Sequence, residues 1–388
     1  MTTEKTFVNI DKTLYDVIIV GGGLAGLVCS ILLSRKGFKI LLLEKKSYPF
    51  NKVCGEYVSN EVIGFLNTLG FDPYKHNASQ IDKLRISSPS GKNIFVDLDM
   101  GGFGISRFKM DHSLSKIAQS SGTLLLENCR VNDVTFNDDM FSVSSSAGLF
   151  QSLFVIGSYG KRDLLDKKLN RKFIHKHTGY LGVKYHIKLD YPINEIGLDN
   201  FSGGYCGIVK IEDDKYNLCY LYRRKQNDNF KSIRELEEKI LFSNPNIHSI
   251  FKKSVFINEN PEVINEISFT DKTCIENHIF LCGDAAGLIT PLCGNGMSMA
   301  IHGAKILSEI LIDNLTRRNS FNALQRLSIE NCYTEKWKAA FSSRLFWGRT
   351  LQKIYGNKNL TAASLSIIHS LPSLEKWLIK KTHGNSIS

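Results

Sequence analysis

Gly21, Gly23 and Gly26 stand in GxGxxG spacing, and an acid, Glu44, follows at about 20 residues. In that pattern the first glycine permits a tight turn, the second lets the backbone approach a pyrophosphate, and the third lets a helix pack closely on a strand. Free N–H groups at the start of such a helix attract an anion without a cationic side chain. A carboxylate at Glu44 can accept hydrogen bonds from ribose hydroxyls, and it disfavours a ribose carrying an extra phosphate. The chemistry implied is dinucleotide binding, with FAD or NAD fitting better than NADP. Far along the chain, Gly283-Asp284-Ala285-Ala286-Gly287 and the loop LITPLCGNG again combine an acid, glycines and a helix start. Two such groups so far apart suggest one large ligand held at both ends.

Two smaller groups carry further chemistry. Cys54-Gly55-Glu56 lies in the polar loop from Lys46 to Ser59. There Cys54 is a candidate to touch a ligand and Glu56 to deliver a proton, against the plainer readings of a packed thiol and a loop-capping carboxylate. Arg107 enters a helix, a place from which a guanidinium can hydrogen-bond a diphosphate bidentately. The plainer reading is a solvated Arg107 paired with Asp111 one turn on.

The elements that must position these groups follow from periodicity. Val17 to Val20 and Lys39 to Leu43 are short apolar runs suited to strands buried on both faces, and Leu24 to Leu33 between them is helical, ended by Lys36-Gly37. Together they form a βαβ unit. Residues 60 to 70 read as a helix stopped by Gly70, and residues 81 to 98 as a hairpin turning at Pro89-Ser90-Gly91. A helix runs from Arg107 to about Ser120, and strands are expected at 123–126, 133–136, 141–144 and 153–156. From Gly179 to Ile264 the chain becomes rich in tyrosine and phenylalanine. Tyr216, Leu218, Tyr220 and Tyr222 alternate with Asn217, Cys219 and Leu221, as in a sheet that forms one wall of an apolar pocket or is merely half-buried. Ile279 to Cys282 is a last buried strand, and Met297 to Leu315 a helix. Beyond it, Tyr333, Trp337, Phe341 and Leu345 recur at four-residue spacing among Lys336, Lys338, Arg344, Arg349 and Lys353. Such a helix either rests on a membrane or docks on its own domain.

The expected fold is therefore α/β. A discontinuous Rossmann-like FAD-binding domain (14–80, 101–165 and 271–318) carries an inserted antiparallel β-sheet substrate domain (81–100 and 170–270) and a helical C-terminal tail (330–388). The 388 residues have 22% charged and 43% hydrophobic side chains, ordinary for a folded chain with a large core. A formal charge of +11 comes without a basic run interleaved with aromatics, so no nucleic-acid partner is expected. Nine cysteines without a CxxC pair suit a reducing compartment, and ten histidines without ligand spacing predict no metal. Residues 17 to 33 would attract a hydropathy scan, but three glycines and the dinucleotide pattern make them core. The expected location is cytoplasmic, with peripheral membrane contact through the basic tail as the alternative.

With these pieces in order, the chain resembles the geranylgeranyl reductase-like FAD-dependent oxidoreductases of the p-hydroxybenzoate hydroxylase-like flavoprotein superfamily. GGGLAG with Glu44, the KVCGEYVS loop and GDAAGLITPLCGNG carry the likeness over roughly residues 14 to 315. The resemblance implies that Gly21, Gly23, Leu24, Ala25, Gly26, Glu44, Lys45 and Arg107 hold the ADP half of FAD. Gly283 and Asp284 would hold the ribityl chain or pyrophosphate, and Pro291, Gly294, Asn295, Gly296 and Met297 would lie at the flavin ring, with Cys54 and Glu56 near its reactive face. It further implies NAD(P)H as co-substrate and hydroxylation or double-bond reduction of a hydrophobic small molecule, isoprenoid-like or polyketide- or aromatic-like. The chain departs from the superfamily at Tyr159-Gly160, where many hydroxylases have Asp-Gly. It also only faintly echoes the reductases' Tyr-x-Trp-x-Phe-Pro pattern at Tyr205 to Val209, and it lacks the halogenases' Trp-x-Trp-x-Ile signature. A non-catalytic, membrane-peripheral FAD-binding protein and a halogenase are the alternatives.

Overall fold

The computed structural model describes residues 13–290, 292, 294–317, 320–355, 381 and 384–388. Pro291, Trp377 and most of the tail beyond 355 lie outside the described residues. The chain begins with β1 (Leu14–Val20), α1 (Leu24–Ser34), β2 (Ile40–Leu43), β3 (Tyr57–Ser59), α2 (Ile63–Thr68), β4 (Ser79–Ser87), β5 (Asn93–Gly104) and α3 (Arg107–Ser120). It continues through β6 (Leu124–Leu126), β7 (Val131–Asn137), β8 (Met140–Ser145), β9 (Gly148–Gly157), α4 (Leu164–Lys168), β10 (Tyr180–Lys188), β11 (Glu195–Phe201), β12 (Gly204–Lys210) and β13 (Tyr216–Arg223). The last elements are α5 (Ile233–Lys239), α6 (Pro245–Lys253), β14 (Val255–Phe256), β15 (Glu262–Asn265), β16 (Ile275–Glu276), β17 (Ile279–Leu281), α7 (Gly296–Leu315) and α8 (Ala323–Tyr355).

Two sheets divide the work. Strands whose residues are apolar at consecutive positions can only be buried on both faces, and β1, β2, β9 and β17 pair in parallel at the centre of the first sheet, ordered β16-β17-β9-β1-β2-β6. The β7-β8 hairpin attaches to β9. α1, apolar nearly all round, packs beneath the sheet between α3 and α7 and is buried at all but one of its positions. No helix among the described residues is long and apolar enough to cross a membrane.

The second sheet runs β14-β10-β13-β12-β11-β4-β5-β3, with β15 beside β10. It is antiparallel except where β4 lies parallel to β11, a pair that joins the early hairpin to the later insertion. The hairpin extends past the expected limits, because β5 runs to Gly104 and pairs there with β3, directly after the Cys54-Gly55-Glu56 loop. Period two decides the faces of β13. Tyr216, Leu218, Tyr220 and Tyr222 pack into a cluster with Leu236, Leu241, Ile247 and Ile250 of the covering helical segment. The hydroxyls of Tyr185 and Tyr220 both donate to Glu237 of α5, at 2.8 and 2.9 Å. The opposite face carries Asn217, Cys219 and Leu221.

The basic amphipathic stretch belongs to α8, which docks on the first sheet. Ile329, Tyr333, Trp337, Phe341 and Leu345 are all buried in the main core, and the Tyr333 hydroxyl donates to the Leu281 carbonyl at 2.8 Å. This corrects the membrane alternative for that stripe: its apolar area is already covered by protein. Near the start of α8, the buried guanidinium of Arg326 lies 4.7 and 4.8 Å from the ring centroids of Phe136 and Phe154, fixing the helix by cation–π contact. Trp337 fits against Gly287, where an added Cβ would come within 2.8 Å of the indole. Trp337→Ala is expected to lower stability by about 3–5 kcal/mol, read as a shift in the urea midpoint at unchanged slope. A neutral result would detach the helix from the core.

Candidate cofactor and substrate site

Each glycine of the first turn meets a different neighbour. Gly21 has φ +100°, and an added Cβ there would lie 2.7 Å from the Ser158 carbonyl oxygen. At Gly26 the added Cβ would fall 2.1 Å from the Gly21 carbonyl oxygen, so only glycine lets α1 close on β1. Gly23 is different: an added Cβ would find room, with Arg107 Nη2 and Lys52 Nζ each 3.7 Å away. Two cations therefore converge over the N-terminus of α1, where a diphosphate needs them.

Asp111 holds both. Arg107 donates through Nε and Nη2 to its two oxygens at 2.7 Å each, and Lys52 donates to Oδ2 at 2.9 Å. The pairing of Arg107 with Asp111 weighed from sequence is real, but it is buried rather than solvated, so it serves the anion site instead of competing with it. Burial pushes the Lys52 ammonium down and neighbouring Arg107 adds to this, against Asp111. Burial alone would raise the Asp111 carboxyl, but Arg107 and Lys52 together hold it below its ordinary value. Two positive charges sharing one carboxylate leave a net charge for an anion to neutralise. Donor set and open space fit the diphosphate of FAD. Sequence reasoning missed Lys52: it stands inside the KVCGEYVS loop, yet no spacing rule marks it.

The other expected residues group around the same cavity, of about 590 Å³. Glu44 is buried and lines it; Oε2 accepts the Gly22 N–H at 2.7 Å and Oε1 the Lys46 N–H at 3.0 Å, which aims the carboxylate. Lys45 lines it while reaching Asp163 at 2.9 Å. Leu24, Ala25, Gly283, Asp284, Gly294, Gly296 and Met297 also line it, so the two distant motifs meet at one cavity. Gly26 and Asn295 do not. Gly26 is taken up by helix–strand packing, and Asn295 is buried at the residue before α7.

Cys54, Gly55 and Glu56 lie where the cradle meets the second sheet. The Val53 carbonyl accepts from Lys161 Nζ at 3.1 Å, the Gly55 carbonyl from Asn217 at 2.9 Å and the Lys52 carbonyl from Lys184 at 3.2 Å. Glu56 is fully buried with φ +55°, a conformation costly for a residue with a side chain. It persists because the carboxylate accepts from Lys184 at 2.5 Å, from the Arg107 N–H at 2.8 Å, and pairs with His186 at 2.7 Å. Burial would raise this carboxyl, but Lys184 and His186 hold it below its ordinary value. This corrects the expectation that Glu56 delivers a proton: it is ionised, saturated with donors and capping α3. Cys54 instead keeps contact with the cavity.

Past Cys54 the cavity turns apolar. Its walls there include Cys219, Tyr220 and Leu221 of β13 and Tyr205 of β12, with Leu84, Ile86, Ile94, Val96 and Val209 from the same sheet. Leu292 and Leu351 of α8 pack on Ile94 and Val96 at one end. Thr290 Oγ1 donates to the Gly348 carbonyl at 3.1 Å, tying α8 to the loop that roofs the cavity.

A two-layer nucleotide cradle opening onto an apolar sheet face defines the class, an FAD-dependent oxidoreductase fold. Residues 19–57 match the NAD(P)-binding Rossmann-like domain family. The chain is 23% identical to the Conditioned medium factor receptor 1 of Dictyostelium discoideum, over 95% of this chain and 76% of that protein. It is also 23% identical to the digeranylgeranylglycerophospholipid reductase of Methanococcus vannielii, over 93% of this chain and 92% of that protein. Among solved structures, a geranylgeranyl bacteriochlorophyll reductase-like protein of Thermoplasma acidophilum superposes with TM-score 0.75 at 18% identity, covering 95% of each chain. A flavin-dependent brominase gives TM-score 0.75 at 17% identity, over 95% of this chain and 93% of that one. The resemblance read from GGGLAG, KVCGEYVS and GDAAGLITPLCGNG is thus borne out: the chain is similar in sequence to proteins named as reductases and shares its fold with solved structures of a reductase-like protein, a brominase and a probable FAD-dependent monooxygenase.

Replacing Lys52 by Met, or Asp111 by Asn, is expected to weaken FAD binding about tenfold or more, measured by flavin fluorescence quenching. Glu56→Gln tests the loop: leaving Lys184 unpaired is expected to cost about 3 kcal/mol near neutral pH. The lowered Glu56 carboxyl contributes stability above its unfolded value of 4.5 that is lost as pH falls through the folded value. The gap in urea midpoint between wild type and variant should therefore narrow on acidification below that value.

Proposed function

We propose that this oxidoreductase reduces a carbon–carbon double bond in a lipophilic, isoprenoid-like chain. The observation that carries the reading is the apolar arm, walled mostly by leucine, isoleucine and valine with Tyr205 and Tyr220 among them, which opens directly off the nucleotide cradle. Aliphatic walls favour a flexible hydrocarbon, whereas a flat aromatic substrate would gain more from ring faces. Relatives named digeranylgeranylglycerophospholipid reductase, aligned over most of their length, support the same choice.

Bound FAD supplies the hydride in such a reaction. The protein's part is to hold and exclude. Arg107 and Lys52 anchor the diphosphate, and Asp284 and the start of α7 close on the other end. The apolar arm strips water from the hydrocarbon and presents it at Cys54. Beside the ionised Glu56, the Cys54 thiol of this loop faces the cavity. A second, non-catalytic reading draws on the receptor name carried by the Dictyostelium relative, which aligns over nearly the whole chain.

The test is anaerobic: the flavin-loaded protein is reduced with dithionite and mixed with geranylgeraniol. Return of flavin absorbance together with a product two mass units heavier supports the proposal. Recovery of colour only on adding oxygen, with a hydroxylated product, favours a monooxygenase, and recovery with no product favours the non-catalytic reading. Leu351→Ala should let longer prenyl chains bind and Leu351→Trp should exclude them; identical chain-length preferences would remove α8 from the substrate site.

A further inference from the structure

Two lysines connect the loops that line the cavity. Lys272 Nζ donates to the Asp284 carbonyl at 2.9 Å and to the Lys161 carbonyl at 2.9 Å, and it lies 4.2 Å from the ring centroid of Phe173. Lys161 Nζ donates in turn to the Val53 carbonyl, beside Cys54. Asp284 sits in the second cradle loop, Lys161 in the turn after β9 and Val53 in the Cys54 loop, and all three residues line the one cavity. Nearby, Arg171 Nη1 donates to the Ala285 carbonyl and to Asp166 at 2.9 Å each, so Asp166 is already engaged and the hydrogen bonds of Lys272 go to the two carbonyls. A part-buried ammonium set on two carbonyls gives up part of its hydration to hold them together.

We propose that Lys272 is a positioning residue for the cofactor: its ammonium clamps the Asp284 loop to the Lys161 turn and so sets how tightly the cradle closes on FAD. The proposal rests on the FAD reading of the cradle. Burial is the main influence on this ammonium; Asp166 and Asp284 oppose it, Arg171 and Lys161 reinforce it, and together they bring it down to about 8. The clamp is therefore charged at neutral pH and loosens as pH rises through that value. Its linkage to folding runs the other way. The folded-state value lies below the ordinary 10.5, so between the two the unfolded chain holds the extra proton, and this group's contribution to stability rises with pH. Cofactor affinity and stability should move in opposite directions over the same range, which a lysine of merely structural role would not produce.

The experiment is an FAD titration of the full chain by flavin fluorescence at pH 7 and pH 9, for wild type, Lys272→Arg and Lys272→Met, with urea midpoints taken in parallel. The wild type is expected to bind about tenfold more weakly at the higher pH, the size of one charge-assisted hydrogen bond lost. Lys272→Met should show the weak value at both, and Lys272→Arg, which stays charged, should keep its affinity. The proposal is overturned if Lys272→Met binds like wild type at pH 7, or if Lys272→Arg loses affinity in step with wild type. A wild type that binds no FAD at either pH would instead remove the cofactor reading itself.

Discussion

Asp111 is the constraint on which the cradle depends. One buried carboxylate holds Arg107 from its own helix and Lys52 from a loop that crosses to the other sheet, and the two cationic heads converge over Gly23. Neither cation could be buried alone at tolerable cost, and together without Asp111 they would repel. With it, they form a preorganised site of net positive charge above a helix N-terminus. The rest of the cavity is arranged outward from that point, with Glu44 at one end and Asp284 at the other.

The Lys52–Glu56 segment links cofactor and substrate sides. Its carbonyls bind Lys184, Lys161 and Asn217, its Glu56 carboxylate caps α3, and its strained backbone turns Cys54 and Gly55 to the cavity. Position here is enforced by donors drawn from both sheets. The segment thus ties the cradle to the second sheet through hydrogen bonds rather than through apolar packing alone. One architecture is shared by the solved structures of a reductase-like protein, a brominase and a probable monooxygenase.

The βαβ unit was legible because its signals are local: buried runs, three glycines, a helix and a terminal acid within one stretch. The second cradle loop was legible for the same reason. Other readings needed contacts that sequence does not carry. Glu56 looked like a proton donor until Lys184 and His186, more than a hundred residues away, were found on its two oxygens. Tyr216, Tyr220 and Tyr222 looked as fit for a pocket wall as their neighbours, because period two defines two faces without saying which one a helical cover will take. The tail's aromatic stripe likewise announced an apolar face, and only its seat on β17 showed what covers it.

What the sequence by itself determined is the pair of cofactor motifs, the α/β class and the existence of a second, tyrosine-rich sheet, since each follows from local spacing and periodicity. What only the tertiary structure decided is the chemistry around them. It pairs Lys52 with Arg107 on Asp111, ionises Glu56, turns the Cys219–Leu221 face of β13 to the cavity and sets Lys272 under Asp284. Charges and hydrogen bonds act over a few ångströms of space, and residues that share those ångströms, such as Glu56 with Lys184 and His186, can lie more than a hundred positions apart along the chain.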